Sequence, residues 1–141
     1  QAMTLDKFAE QVENYSRKQM EYQDDIDLFF ESKCDDSLDL SPVQVLNCFR
    51  IIQEALTNCA KHSRAENIWI EVRSTVDYRL LLRVKDDGIG LHGRRDDMLN
   101  GNGMLNMKKR AEELGGSLTI SKSTGKGTEV CVEIPLAARN R

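Results

Sequence analysis

Apolar residues recur at steps of three and four through Leu5, Phe8, Val12 and Tyr15 and fade near Tyr22, which predicts a helix beginning at Thr4. Asp25 to Ser32 alternates weakly, as a strand does, and Cys34 to Leu40 reads as a polar loop. Ser41-Pro42 then offers an N-cap followed by proline at the first helical position. The helix it opens runs to about Lys61, with Ile52, Ala55, Leu56 and Cys59 on one side and Val45 and Cys48 extending that side a turn earlier. Two strands follow. Ile68, Ile70 and Val72 share a face of the first, Val76 to Tyr78 connects, and Leu80, Leu82, Val84 and Asp86 share a face of the second. A polar segment from Leu91 to Asn100 leads to a helix with Met104, Met107, Ala111 and Leu114 inward, closed by Gly115-Gly116. Ser117 to Ser121 and Gly127 to Pro135 form a last hairpin around Thr124 to Lys126.

The order is helix, strand, helix, strand, strand, loop, helix, strand, strand. Neighbouring strands joined by short turns predict an α+β fold: a two-layer sandwich with a mixed, mostly antiparallel sheet and helices on one face. The helix within residues 1–24 reads as the tail of, or link to, a helical unit that this chain lacks. Residues 25–137 form the main domain and 138–141 its tail, with the stretch from Leu136 onward reading as frayed.

Two places break the apolar–polar pattern. On the central helix, Glu54, Asn58, Lys61 and His62 fall within an arc of roughly 100°. That arc gathers a carboxylate, a carboxamide, an ammonium and an imidazole. A carboxamide oxygen is a hard neutral ligand suited to Mg²⁺, and a lysine one turn away suits phosphate. The second break is Asp86, a carboxylate at the last inward position of an apolar strand, costly unless something pairs with it.

Composition narrows the classes. The chain has 141 residues, 40% hydrophobic and 30% charged, enough for one core. A net charge of −3 argues against a nucleic-acid partner. No apolar run approaches the ~18 residues of a membrane span. Cys34, Cys48, Cys59 and Cys131 lack metal-site spacing and read as reduced thiols of a cytoplasmic domain. Gly88-Ile-Gly90-Leu-His-Gly93 fits a dinucleotide fingerprint, but Arg94-Arg95-Asp96-Asp97 follows where the phosphate-binding helix should begin.

What remains is a three-part set: Asn58-x-x-Lys61-His62 on a helix, Asp86-x-Gly88-x-Gly90 after a strand, and Gly101-x-Gly103 opening a helix. A buried carboxylate only accepts hydrogen bonds, so Asp86 suits the exocyclic amine of adenine and opposes the carbonyl of guanine. Gly88 and Gly90 let backbone approach a flat ring, and Gly101 and Gly103 expose N–H groups where phosphates bind. Asn58 would hold Mg²⁺, with Glu54 reaching it through water or steadying Asn58, and Lys61 and His62 would meet phosphate oxygens. Plainer readings stand beside these: Lys61 and His62 also suit a helix C-terminus, and Glu54 could simply tune the helix. Asp87 is expected to stay solvated and His92 to be an ordinary surface residue.

QEALTNCAKHSRA, VKDDGIG and GNGMLNMKKRAEELGG resemble the N, G1 and G2 boxes of the GHKL superfamily's ATP-binding domain, in order and at family spacing over about residues 40 to 136. They are most similar to the nitrate-sensor-like subfamily of sensor histidine kinases, as are the short lid and the lack of a phenylalanine box. Gly125-x-Gly127-Thr128 resembles the family's last segment, whose threonine helps hold the adenine-bound water and Asp86, although Thr128 could also be a plain strand threonine. Met104 stands where leucine is common. Lys108-Lys109-Arg110 replaces a frequent arginine-glutamate-arginine, so these three carry no individual assignment.

The resemblance implies a Bergerat-type fold and a protein histidine kinase that passes the γ-phosphoryl of Mg·ATP to a histidine for relay to a response regulator. It implies catalytic roles for Glu54, Asn58 and Lys61, and ATP binding by Asn58, Lys61, His62, Asp86, Gly88, Gly90, Gly101, Gly103, Met104 and Thr128. Mg²⁺ falls to Asn58 directly and Glu54 through water. The acceptor is expected on upstream dimerisation helices, since only His62 and His92 occur here. The full-length protein is then a homodimer, with this part cytoplasmic and not membrane-embedded, and an inner-membrane anchor elsewhere is compatible with that. Alternatives are an anti-sigma-factor-like serine kinase of the same superfamily and a non-catalytic nucleotide-binding regulatory module.

Overall fold

The computed structural model describes residues 2–23, 25–60, 64–89, 102–122 and 126–138. Among the described residues, three helices, α1 (Leu5–Met20), α2 (Pro42–Asn58) and α3 (Asn102–Glu113), lie among eight strands. These are β1 (Met3–Thr4), β2 (Asp27–Lys33), β3 (Leu38–Leu40), β4 (Asn67–Ser74), β5 (Arg79–Asp86), β6 (Ser117–Lys122), β7 (Thr128–Pro135) and β8 (Ala137–Ala138). The main sheet has the order β2-β4-β5-β7-β6, parallel only between β2 and β4. The expected mixed, mostly antiparallel sheet is present.

Register explains the core. Val72, Leu82, Val132 and Leu118 align across four strands, and Ile70, Val84, Val130 and Ile120 form the next row. These rows and the buried face of α2 (Cys48, Ile51, Ile52, Ala55, Leu56) belong to one apolar cluster. The opposite sheet face is polar. Arg83 pairs with Glu71 at 2.8 Å and lies 3.4 Å from Glu129, Arg79 pairs with Glu133 at 2.6 Å, and Trp69 stacks on Phe29 with Lys85 above its ring. One face buried and one solvated is the usual economy of an antiparallel sheet.

The helix ends follow the sequence. At α2 the Ser41 hydroxyl accepts from the Gln44 N–H and the Gln44 side chain accepts from the Ser41 N–H, a capping box. Gln44 also donates to the Pro135 carbonyl, tying α2 to the end of β7. After α3, Gly115 takes φ +76°, its N–H reaches the Glu112 carbonyl, and the Gly116 N–H reaches that of Ala111. That pair of bonds is a Schellman closure.

Two segments differ from expectation. Cys34 to Leu40 is not all loop, because β3 pairs with β1 on one side and β8 on the other, burying Leu38 and Leu40. The C-terminal stretch is likewise ordered through β8, so fraying does not begin at Leu136. Strands of two and three residues leave no periodic signature, and their pairing comes from distant parts of the chain. The α1 helix joins the same core as α2: Leu5, Phe8 and Val12 are fully buried, and Phe8 and Tyr15 each meet the Phe49 ring edge-on. No described helix is long and apolar enough to cross a membrane.

Candidate functional site

Beyond the two apolar rows, the next inward row is Ile68, Asp86 and Thr128. The apolar layer ends there in a carboxylate and a hydroxyl, 3% and 2% exposed. A carboxylate this deep needs donors. The Gly88 N–H donates to Asp86 Oδ1 at 2.8 Å, a local turn that the glycine two residues on makes possible, and the Cys59 thiol donates to Oδ2 at 3.5 Å. Gly127, at φ +105°, passes directly over this turn, and a Cβ there would run into the Asp86 carbonyl. Only glycine satisfies both the conformation and the approach. The Thr128 hydroxyl is buried and makes no hydrogen bond among the described residues.

Asp87 is not simply solvated. Its carboxylate accepts from the Glu66 and Asn67 backbone N–H groups, both at 2.9 Å, and from the Asn67 side chain at 2.8 Å. Burial pushes its carboxyl upward, but the Asn67 and Glu66 donors outweigh that and hold it below the usual range. Asp87 therefore clamps the start of β4 to the end of β5 while Asp86 points inward.

The second half of the site lies between α2 and α3. A cleft of about 260 Å³ is lined by Arg50, Gln53, Glu54, Thr57, Gly103, Asn106, Met107 and Arg110. Glu54 sits against the start of α3 so closely that a Cβ on Gly103 would overlap its carboxylate. Asn58 is the last residue of α2, half-buried, next to the cysteine that touches Asp86. Met104 is buried in the core. Lys61, His62, Gly90 and Gly101 lie outside the described residues, as do segment 91–100 and His92.

So the structure brings Asp86, Gly88 and Thr128 together at one end and Glu54 with Gly103 at the other, with Asn58 on the helix between. The sequence reading missed Arg50 and Arg110, which face the cleft, Arg110 donating to Asn47 at 3.1 Å. Arg50 could have been found, since it lies four residues before Glu54 on the same helix. It also missed the Cys59–Asp86 contact, although both residues have inward phase. Among the described residues no group of three or more His, Cys, Asp or Glu side chains could hold a metal. The donors on the helix, a carboxamide and a carboxylate, fit instead a Mg²⁺ that keeps waters and phosphate oxygens in its shell.

The sequence model of the family described as "Histidine kinase-, DNA gyrase B-, and HSP90-like ATPase" matches residues 44–138, from the first turn of α2 to the last strand. The chain belongs to this family. Among curated relatives of this ATPase domain, the signal transduction histidine-protein kinase/phosphatase DegS of Bacillus subtilis (strain 168) is 36% identical over 100 residues, covering 70% of this chain and 26% of DegS. The sensor histidine kinase ComP of the same organism is 38% identical over 101 residues, covering 71% of this chain and 13% of ComP. The chain thus spans about a quarter or less of these relatives. The solved catalytic domain of histidine kinase ThkA superposes with a TM-score of 0.73 at 15% identity, covering 99% of this chain and 98% of that one. Full-length ShkA, solved in complex with AMPPNP, gives 0.75 at 15% identity, covering 100% of this chain and 32% of that one. Identities this low establish the ATPase-domain fold alone.

Proposed function

We propose that this chain is the ATP-binding catalytic domain of a sensor histidine kinase of the nitrate-sensor-like kind. It passes the γ-phosphoryl group of ATP to a histidine on a helical dimerisation unit outside the chain. The observation that carries this reading is the Asp86 carboxylate, held inward at the end of β5 by the Gly88 N–H and the Cys59 thiol. Its acceptor-only chemistry selects a donor on the ligand, which the exocyclic amine of adenine supplies. The backbone at Gly88 gives the ring a flat floor, and the Thr128 hydroxyl can bridge to the purine through water.

Along α2, Glu54 and Asn58 offer oxygen donors for Mg²⁺, Asn58 directly and Glu54 through water. Magnesium, when bound, neutralises phosphate charge. By sequence, Gly90 completes the purine floor, Lys61 and His62 meet phosphate oxygens, and the N–H groups near Gly101 and Gly103 hold the terminal phosphates. Met104 supports this loop from the core. In the transfer, the bond from γ-phosphorus to the bridging oxygen breaks to release ADP, a bond to an imidazole nitrogen forms, and the imidazole proton passes to a carboxylate that serves as base beside the acceptor histidine. What Glu54, Asn58 and Lys61 contribute is position and charge. The α1 helix would lead back to the dimerisation helices of a homodimer, and a response regulator would receive the phosphoryl group. On this reading the domain works in the cytoplasm.

Calorimetric titration with Mg·ATP tests the proposal. Asp86→Asn is expected to abolish binding while the fold survives, and unchanged affinity would overturn it. ATP should bind at least about tenfold more tightly than GTP, from an unpaired-acceptor cost of about 1–3 kcal/mol. Radiolabelled ATP mixed with this chain and its separately made dimerisation unit should label the latter. Labelling of a serine partner instead would point to a serine kinase of the same superfamily.

A further inference from the structure

Cys59 is the residue just after α2, and its backbone N–H reaches both the Ala55 and Leu56 carbonyls. Its helical dihedrals, φ −61° and ψ −45°, aim the side chain inward, where the sulfur lies 3.5 Å from Asp86 Oδ2. Both side chains are buried, at 4% and 3% exposure. The other carboxylate oxygen accepts from Gly88, two residues along the same strand end. The terminal torsion of Asp is broad, so the plane its carboxylate takes is set by the groups that meet its oxygens. Donors on both oxygens, from two different elements, fix its plane.

We propose that Cys59 is a positioning residue: its thiol sets the plane in which Asp86 meets the exocyclic amine of adenine. This rests on the reading of Asp86 given above. A thiol is a weak donor, so orientation matters here more than energy. The same contact links adenine recognition to the metal-binding end of α2, because Asn58 precedes Cys59 directly.

The test compares Cys59→Val, Cys59→Ser and Cys59→Ala with Cys48→Val, a buried cysteine earlier on α2 that serves as the packing control. The ligands are ATP and purine riboside triphosphate, which lacks the amine. Cys59→Val is expected to weaken ATP about fivefold, through the lost orienting hydrogen bond, and to leave purine riboside triphosphate within about twofold. Cys59→Ser, whose hydroxyl still donates, should restore the ATP value, and Cys48→Val should change neither ligand. Cys59→Ala repeats the comparison without added bulk, so poor folding of the valine variant does not block it. Equal weakening of both nucleotides would show a merely structural role, and unchanged ATP affinity would show no role; either overturns the inference. Asp86→Asn separates this from the underlying reading. If it abolishes ATP binding while the Cys59 variants have no effect, only the cysteine inference falls. If it leaves ATP binding intact, the adenine reading itself falls.

Discussion

Replacing Asp87 with alanine removes the acceptor for three donors: the Glu66 and Asn67 N–H groups and the Asn67 carboxamide. A hydrogen bond to a charged group contributes about 1.5–3 kcal/mol when buried, but Glu66 is exposed and Asn67 half-buried, so water replaces part of the loss. We expect a net destabilisation of about 2–3 kcal/mol, or a melting temperature lower by roughly 6–12 °C for a chain of this size. Urea denaturation followed by circular dichroism should show an earlier midpoint with unchanged slope. The pH dependence carries the sign. The folded carboxyl lies below its unfolded value, so its stabilisation is complete above the ordinary carboxylate pKa of about 4 and is lost as pH falls through the lowered folded value. The gap between wild type and Asp87→Ala should be constant from about pH 5 to 8 and shrink below about pH 4. A gap under about 0.5 kcal/mol at neutral pH, the range of an ordinary surface substitution, or one that widens on acidification, would refute the clamp.

Other substitutions probe the rest of the scaffold. Gly127→Ala forces a Cβ against the Asp86 carbonyl at φ +105°, so it should cost at least about 2 kcal/mol and weaken ATP binding by displacing Asp86. Wild-type melting and affinity in that variant would show that the hairpin does not hold the turn. Phe8→Ala should cost about 3–5 kcal/mol, since Phe8 is fully buried against Phe49. A loss below about 1 kcal/mol in chemical denaturation would mean that α1 is dispensable to the core.

Much of this protein was legible in one dimension because its signals are local and periodic. The capping residues at Ser41-Pro42, the inward phase of Leu80 to Asp86 and the two glycines closing α3 each act within a few residues, and each holds in the structure. Asp86 stood out because a charge in the phase of a buried strand has no local reason to be there. Local pattern could not reveal pairings across long separations. The β1-β3-β8 sheet joins residue 3 to residue 40 and residue 38 to residue 138, and no strand in it is long enough to show a period. Asp87 looked solvated because its phase points away from the core, yet its donors come from twenty residues earlier. The Cys59 thiol became a partner of Asp86 only when α2 settled on β5. Periodicity fixes which side of an element turns inward, whereas the identity of the atom met there depends on how the layers stack, which tertiary packing alone decides.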